Sequence, residues 1–260
     1  MPGSIADELK AIAAEFRGDE VSYPVLLKRI CMNYGIRVVR RNTVSPGKAF
    51  LEWNRAAGEL PVVLLPMQKS SNWVRFCAAH ELGHFALISR YDWHPEETSS
   101  YWQTEVMCDY FARELLLPDS LFCGFEIDDP RSAMDKCNSI MRDALVPWAQ
   151  VAKKITQRDP NVVFMRLQMS KNDSRSEVIS TSLPLEKGRR TRVNTRARFS
   201  SIAMTALEVA RQSSMPERLV LTRDDFVGSR LGELFSELAV RKIFMETSAS
   251  VDQIKLAATR

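Results

Sequence analysis

Apolar positions recur along the chain with first a helical and then a strand period. Ile5, Leu9, Ile12 and Phe16 share one helical face, and Ser4 with Asp7 predicts a capping box in front of them. The stretch "VSYPVLLKRICMNYG" predicts a second helix, opened by Ser22 and Pro24 and closed by Asn33 to Gly35. "IRVVRR", "KAFLEW" and "PVVLLP" read as strands, the last two joined by the hairpin-like "NRAAGEL". In "SSNWVRFCAAHELGHFALIS" the serines are placed to cap a helix that sets Phe76, His80, Gly83 and Leu87 on one face. Residues 89–101 have turn composition and predict a loop. "WQTEVMCDYFARELLLP" is helical again, with Val106, Phe111, Leu115 and Leu116 as expected core positions, and must stop near Pro118.

Beyond Pro130 the pattern changes. Residues 130–160 predict two short helices joined near Val146 and Pro147, a length that suits a helix-turn-helix pair or a helical spacer. From Asn161 onward "VVFMRLQM", "EVISTSL", "RLVLT", "KIFME" and "QIKLAA" read as strands, with helices expected from Phe199 to Arg211 and over "LGELFSELAV". Strands and helices alternate irregularly, so the class is α+β, in three parts: residues 1–129, a helical segment 130–160 and an α+β domain 161–260.

With 260 residues, 45% of them hydrophobic, each part can bury a core without staples. The five cysteines include no C-x-x-C pair, which argues against a disulfide framework or a cysteine-based zinc site and for a reducing cytoplasm. The first segment lacks the basic start and unbroken apolar run of a signal peptide, and no stretch approaches the roughly 18 apolar residues of a membrane span. Net charge is +4, but unevenly spread: residues 1–129 hold 13 basic and 18 acidic side chains, residues 130–260 hold 23 and 14. Within the second part Lys187, Arg189, Arg190, Arg192, Arg196 and Arg198 form a tract without an acid that could grip phosphates or a partner. It has no aromatic residue until Phe199, so a base-stacking platform is not expected, and a solvated loop is the first reading.

Two of the three histidines, His80 and His84, stand four apart in "HELGHFALISR", with Glu81 behind the first. On a helix that spacing sets both imidazoles on one side, where they can share a metal ion, and puts Glu81 within reach of a water beside it. Glu81 is thus the candidate general base of a metal-dependent hydrolase. Such a centre takes three protein ligands. Arg90 and Leu87 stand where a metzincin has histidine and glycine, and His94 lies in the turn-rich loop. Glu105 and Asp109, four apart on the next helix, are better placed: one should ligate and the other should orient a histidine N–H, and spacing does not say which.

"VRFCAAHELGHFAL" followed by "EVMCDYFARELLLP" resembles the ImmA/IrrE family of zinc-dependent metallopeptidases. Arg75, Phe76, Ala79, His80, Glu81, Gly83 and His84 match its first motif, and Glu105, Phe111, Ala112, Leu115, Leu116 and Pro118 its second. The likeness spans roughly residues 20–120. It implies a zincin-like fold, Glu105 as third ligand, and a cytoplasmic protease that cuts a helix-turn-helix (XRE-like) repressor to switch on a stress, DNA-damage or mobile-element response. Some members follow the peptidase domain with a helical segment and a GAF-like sensor, a layout that residues 130–260 would suit. Cys108 stands where the family usually has alanine and Asp109 where asparagine is common. The extra charge of Asp109 would favour a harder ion such as Mn²⁺ beside the Zn²⁺ that the family implies. Cys77 and Cys108 flank the metal-binding stretches, as a redox pair or, more simply, as small buried residues.

An edge strand, "AFLEW" or "VVLLP", would hold an extended substrate, and Tyr91, Tyr101 and Tyr110 are the near candidates for oxyanion stabilisation. Two other classes remain open at this stage. One is a metal-binding transcription regulator that contacts DNA through residues 131–198; the other is a ligand-sensing module with a vestigial metal site. The oligomeric state is unknown.

Overall fold

The computed structural model describes residues 4–18, 22–42, 49–67, 70–93, 98–124, 127, 129–169, 175–181, 197–198, 218–222, 225, 236, 239–248 and 253–259. The chain divides into two units, Met1–Gly124 with Ile140–Pro147, and Phe125–Ser139 with Trp148–Arg260. Both mix helix and strand, as an α+β chain should.

In the first unit, α1 (Ile5–Arg17) opens on the expected capping box, with Ser4 and Asp7 each bonding the other's backbone N–H. Its apolar face buries Leu9, Ile12 and Phe16. The Phe16 ring stacks on Tyr34 at 4.1 Å and meets the Phe111 ring edge-on at 5.4 Å, so the first and fourth helices share an aromatic core. Helix α2 (Leu27–Asn33) starts later than Ser22 and Pro24 suggest. The reason is that the Val25 carbonyl accepts from the Arg75 guanidinium instead of opening a helical ladder.

Strands β1 (Arg37–Arg41), β2 (Phe50–Glu52) and β3 (Val62–Pro66) form a sheet of order β1-β3-β2, with β1 parallel and β2 antiparallel to β3. The near-continuous apolar run of β3 suits the central place, where Val63, Leu64 and Leu65 are buried. That leaves β2 on an edge. Helix α3 (Ser71–Tyr91) runs two residues further, and α4 (Thr98–Leu116) starts several residues earlier, than the turn composition of 89–101 predicts. Trp93 explains part of this: its indole N–H donates to the buried Thr104 hydroxyl at 2.9 Å, which ties the connection down onto α4. Ser70 is the N-cap of α3, but its side chain makes no capping bond. Val106 is 66% exposed, contrary to expectation, because the buried face of α4 runs through Thr104, Cys108, Phe111, Ala112 and Leu115, and Val106 falls between its rows.

Helices α3 and α4 approach closely at Gly83, where a Cβ would lie 3.0 Å from Cys108 Cα and 3.3 Å from its carbonyl oxygen. These are backbone atoms of a packed helix and cannot swing away. Overpacking of this kind costs typically about 1–3 kcal/mol, more than the up to about 1 kcal/mol that Gly→Ala returns in a helix interior. Gly83→Ala is therefore expected to lower the urea midpoint of unfolding; a higher midpoint would show that the helices can part freely.

In the second unit, α5 (Pro130–Ala144) and α6 (Trp148–Arg158) meet near Val146 and Pro147 as expected, with the last turn of α5 counted in the first unit. The sheet has the order β6-β5-β4-β9-β8-β7, all antiparallel, from β4 (Val162–Met169), β5 (Arg175–Thr181), β6 (Ala197–Arg198), β7 (Arg218–Leu221), β8 (Lys242–Ser248) and β9 (Gln253–Thr259). Trp148 of α6 packs edge-on against Phe164 of β4 at 5.7 Å. Glu246, 8% exposed, is held by Arg218 at 2.9 Å, Lys255 at 3.4 Å and the Asn138 amide at 3.2 Å, which satisfies its buried charge. The helices expected at Phe199–Arg211 and over "LGELFSELAV" lie outside the described residues, Ser236, Ala239 and Val240 apart, as do His94, Lys187, Arg189, Arg190, Arg192 and Arg196. Arg198 belongs to β6 by its backbone.

Candidate metal centre

One turn of α3 separates His80 from His84, and their ring centroids are 5.0 Å apart with planes at 67°. Opposite them α4 presents Glu105 and Asp109, in reversed chain direction. The Glu105 carboxylate spans the pair, with one oxygen 3.3 Å from His80 Nε2 and the other 3.3 Å from His84 Nε2. On the far side of the first ring, His80 Nδ1 lies 2.9 Å from Asp109 Oδ1. Two imidazole nitrogens and a carboxylate therefore converge, and an acceptor fixes the other nitrogen of one ring. This donor set suits a borderline ion that takes nitrogen and oxygen ligands.

Glu81 lies in the same cavity, only 6% exposed, where the Leu51 N–H of β2 donates to its carboxylate. The cavity has a volume of about 670 Å³ and is walled by Phe50 and Leu51 of the edge strand, Trp73 and Ile88 of α3 and Tyr101 of α4. Tyr101 hydrogen-bonds Glu105. Of the three tyrosines singled out in sequence only Tyr101 reaches this cavity; Tyr91 donates to Glu8 at 3.4 Å and Tyr110 lies against Arg113. In sequence Cys108 reads as a redox partner of Cys77 or as a small buried residue, and not as a ligand. It is fully buried, yet its sulfur and one ring nitrogen each of His80 and His84 all lie within 4.8 Å of one another. Burial, then the charges of Glu105, Glu81 and Asp109, push its thiol far up and keep it neutral.

Charge is unevenly held in this pocket. Burial alone would lower His80, but hydrogen bonds to Asp109 and then Glu105 outweigh it and raise the imidazolium from 6.5 to about 10. His84 is lowered, first by burial and then by the charge on His80. The hydrogen bond from His80 holds Glu105 below its usual range. Burial pushes Glu81 up to about 7, against the pull of His80.

The consequence for metal-free protein has a definite sign. His80 is raised on folding, so its contribution is complete below 6.5 and is lost as pH rises through about 10. Glu81 is raised as well, and its contribution is complete below 4.5 and lost through about 7. The melting temperature of chelator-treated protein is therefore expected to fall between pH 6.5 and 10. A flat or rising profile over that window would contradict the pairing.

Residues 31–155 match the family model described as "IrrE N-terminal-like domain", Peptidase_M78. Comparison with curated proteins finds no match. In fold the chain is similar to a solved "Mycobacterium tuberculosis transcriptional regulator", with a TM-score of 0.51 and 14% identity over 98% of this chain and 74% of that one. At that identity the likeness speaks for the architecture alone. Among the described residues no helix is long and apolar enough to cross a membrane. The matched segment, residues 31–155, contains both helices of the metal centre, and over it the chain is similar to the IrrE N-terminal-like (M78) peptidase domain.

Proposed function

We propose that the protein is a zinc-dependent endopeptidase of the cytoplasm that cuts a helix-turn-helix transcriptional repressor. The observation that carries the reading is the Glu105 carboxylate set against both Nε2 atoms, with Glu81 buried in the same cavity. His80, His84 and Glu105 would hold the ion, and Asp109 would orient His80 through Nδ1. When bound, zinc supplies a Lewis acid and an acidified water. Glu81, buried in the same cavity, would accept a proton from the attacking water and pass it to the leaving amine. The Tyr101 phenol would turn from Glu105 to donate to the oxyanion that develops on the scissile carbonyl. Because β2 is an edge strand on the cavity wall, "AFLEW" is the better candidate to pair with an extended substrate, and Phe50 and Trp73 offer apolar walls for its side chains.

The repressor as substrate is what the likeness to the family implies, and the similar fold of a transcriptional regulator agrees with a role in transcription. Residues 161–260 are read as a GAF-like sensor, which the six-stranded antiparallel sheet supports, and a stress or DNA-damage signal received there would govern the protease. The decisive test is to co-express the chain with the helix-turn-helix repressor encoded nearest to it and to follow the repressor's intact mass. Fragments with wild type and none with Glu81→Gln are expected. An intact repressor with metal present and after DNA damage would shift the reading to a metal-binding regulator that acts without proteolysis.

A further inference from the structure

The floor of the metal centre holds a donor that the hydrolytic reading leaves unused. Cys108 follows Glu105 by three residues and so lies on the same side of α4, one turn deeper. Gly83, between the two histidines in sequence, has no Cβ, and this lets the Cys108 backbone approach α3 to a distance that any other residue would block. The result is that the thiol and the two imidazoles already stand within 4.8 Å of one another. In tetrahedral zinc with nitrogen and sulfur ligands, donor atoms are roughly 3.3–3.6 Å apart. The excess is at most about 1.5 Å, within the reach of side-chain rotation about an ion.

We infer that Cys108 is a fourth protein ligand of the resting metal centre, binding from beneath the His80 and His84 pair while Glu105 binds from the cavity side. The inference rests on the metal-centre reading proposed above. The step is a ligand exchange with no change of oxidation state: the sulfur–metal bond forms, a bound water leaves, and the thiol proton goes to solvent. Two consequences follow from the chemistry of the donor set. Two histidines, a glutamate and a thiolate make a closed set of four, so the thiolate must dissociate before a water can enter, and the loaded protein rests in a latent form. A thiolate also favours Zn²⁺ over Mn²⁺, which reverses the preference that the charge of Asp109 alone would give.

Cobalt(II) distinguishes the possibilities without reference to activity. Full-length protein, stripped with a chelator and loaded with Co²⁺, is expected to show visible ligand-field bands and also an intense near-ultraviolet thiolate-to-cobalt band. Cys108→Ala should keep the first and lose the second, while Cys77→Ser keeps both. In a zinc–manganese competition Cys108→Ala should lose at least about tenfold of its preference for zinc. Ligand-field bands without the thiolate band in wild type would overturn the inference and leave the three-ligand centre standing. Absence of any cobalt uptake would overturn the centre itself. If the alanine variant fails to fold, the thiolate band of Cys77→Ser decides, because Cys77 lines the same cavity: retained, it assigns the sulfur to Cys108, and lost, it overturns the inference.

Discussion

Replacing Glu81 by glutamine is expected to lower repressor cleavage by about 10²–10⁴-fold, the usual contribution of a positioned acid–base group. Metal content should be unchanged, since the carboxylate that faces the two Nε2 atoms belongs to Glu105 and not to Glu81. The variant should also be no less stable than wild type at neutral pH. Burial has already raised the Glu81 carboxyl to about 7, which means the folded protein bears a cost for ionising it, and a neutral amide of the same shape removes that cost. Its metal-free melting curve should therefore lose the part of the pH dependence between 4.5 and about 7 and keep the part that His80 imposes between 6.5 and about 10. Inactivity accompanied by loss of metal would place Glu81 among the ligands and remove the proposed base.

Glu105→Ala should have the second large effect. It takes away the carboxylate that spans both Nε2 atoms, and stoichiometric zinc should be lost on dialysis, with affinity down by more than about 100-fold. Removing an outer partner of a ligand already costs about 10–100-fold, and Asp109→Ala, which frees His80 Nδ1, should fall in that lower range. The order of the two variants is the informative part. Equal losses would mean that Asp109 ligates and that the two carboxylates share the role. Zinc analysis after gel filtration measures both, and a thermal melt in chelator separates metal loss from unfolding.

Much of this centre could be read from spacing. Two histidines four apart on a helix must share a side, and two acids four apart on the following helix must share another, so convergence needs only that the helices pack. What spacing could not supply was depth. Val106 and Cys108 are both apolar enough for a core, and only the approach of α3 at Gly83 decides that the second is buried and the first exposed. The choice of edge strand was hidden for a similar reason: β3 becomes central through a parallel pairing with β1, a long-range relation that leaves no local trace in either strand. The ends of α2, α3 and α4 moved because tertiary bonds at Val25 and Trp93 compete with local turn chemistry. The antiparallel pairing order of the second sheet was likewise not legible, since each of its strands alternates well enough to sit at several places.

Arg17, in the last turn of α1, donates to the carbonyls of Glu114 and Leu115 in the last turn of α4, across a separation of 97 residues in the first case. Carbonyls at a helix C-terminus lack partners within their own helix, and a cation there is favourable. During synthesis the helix that fastens α4 is thus made long before α4 itself, and it must wait for some hundred residues of chain before it can do so. The carboxylates of Glu105 and Asp109 arrive on α4, so a chain that stops before it carries His80 and His84 without the acids that face them.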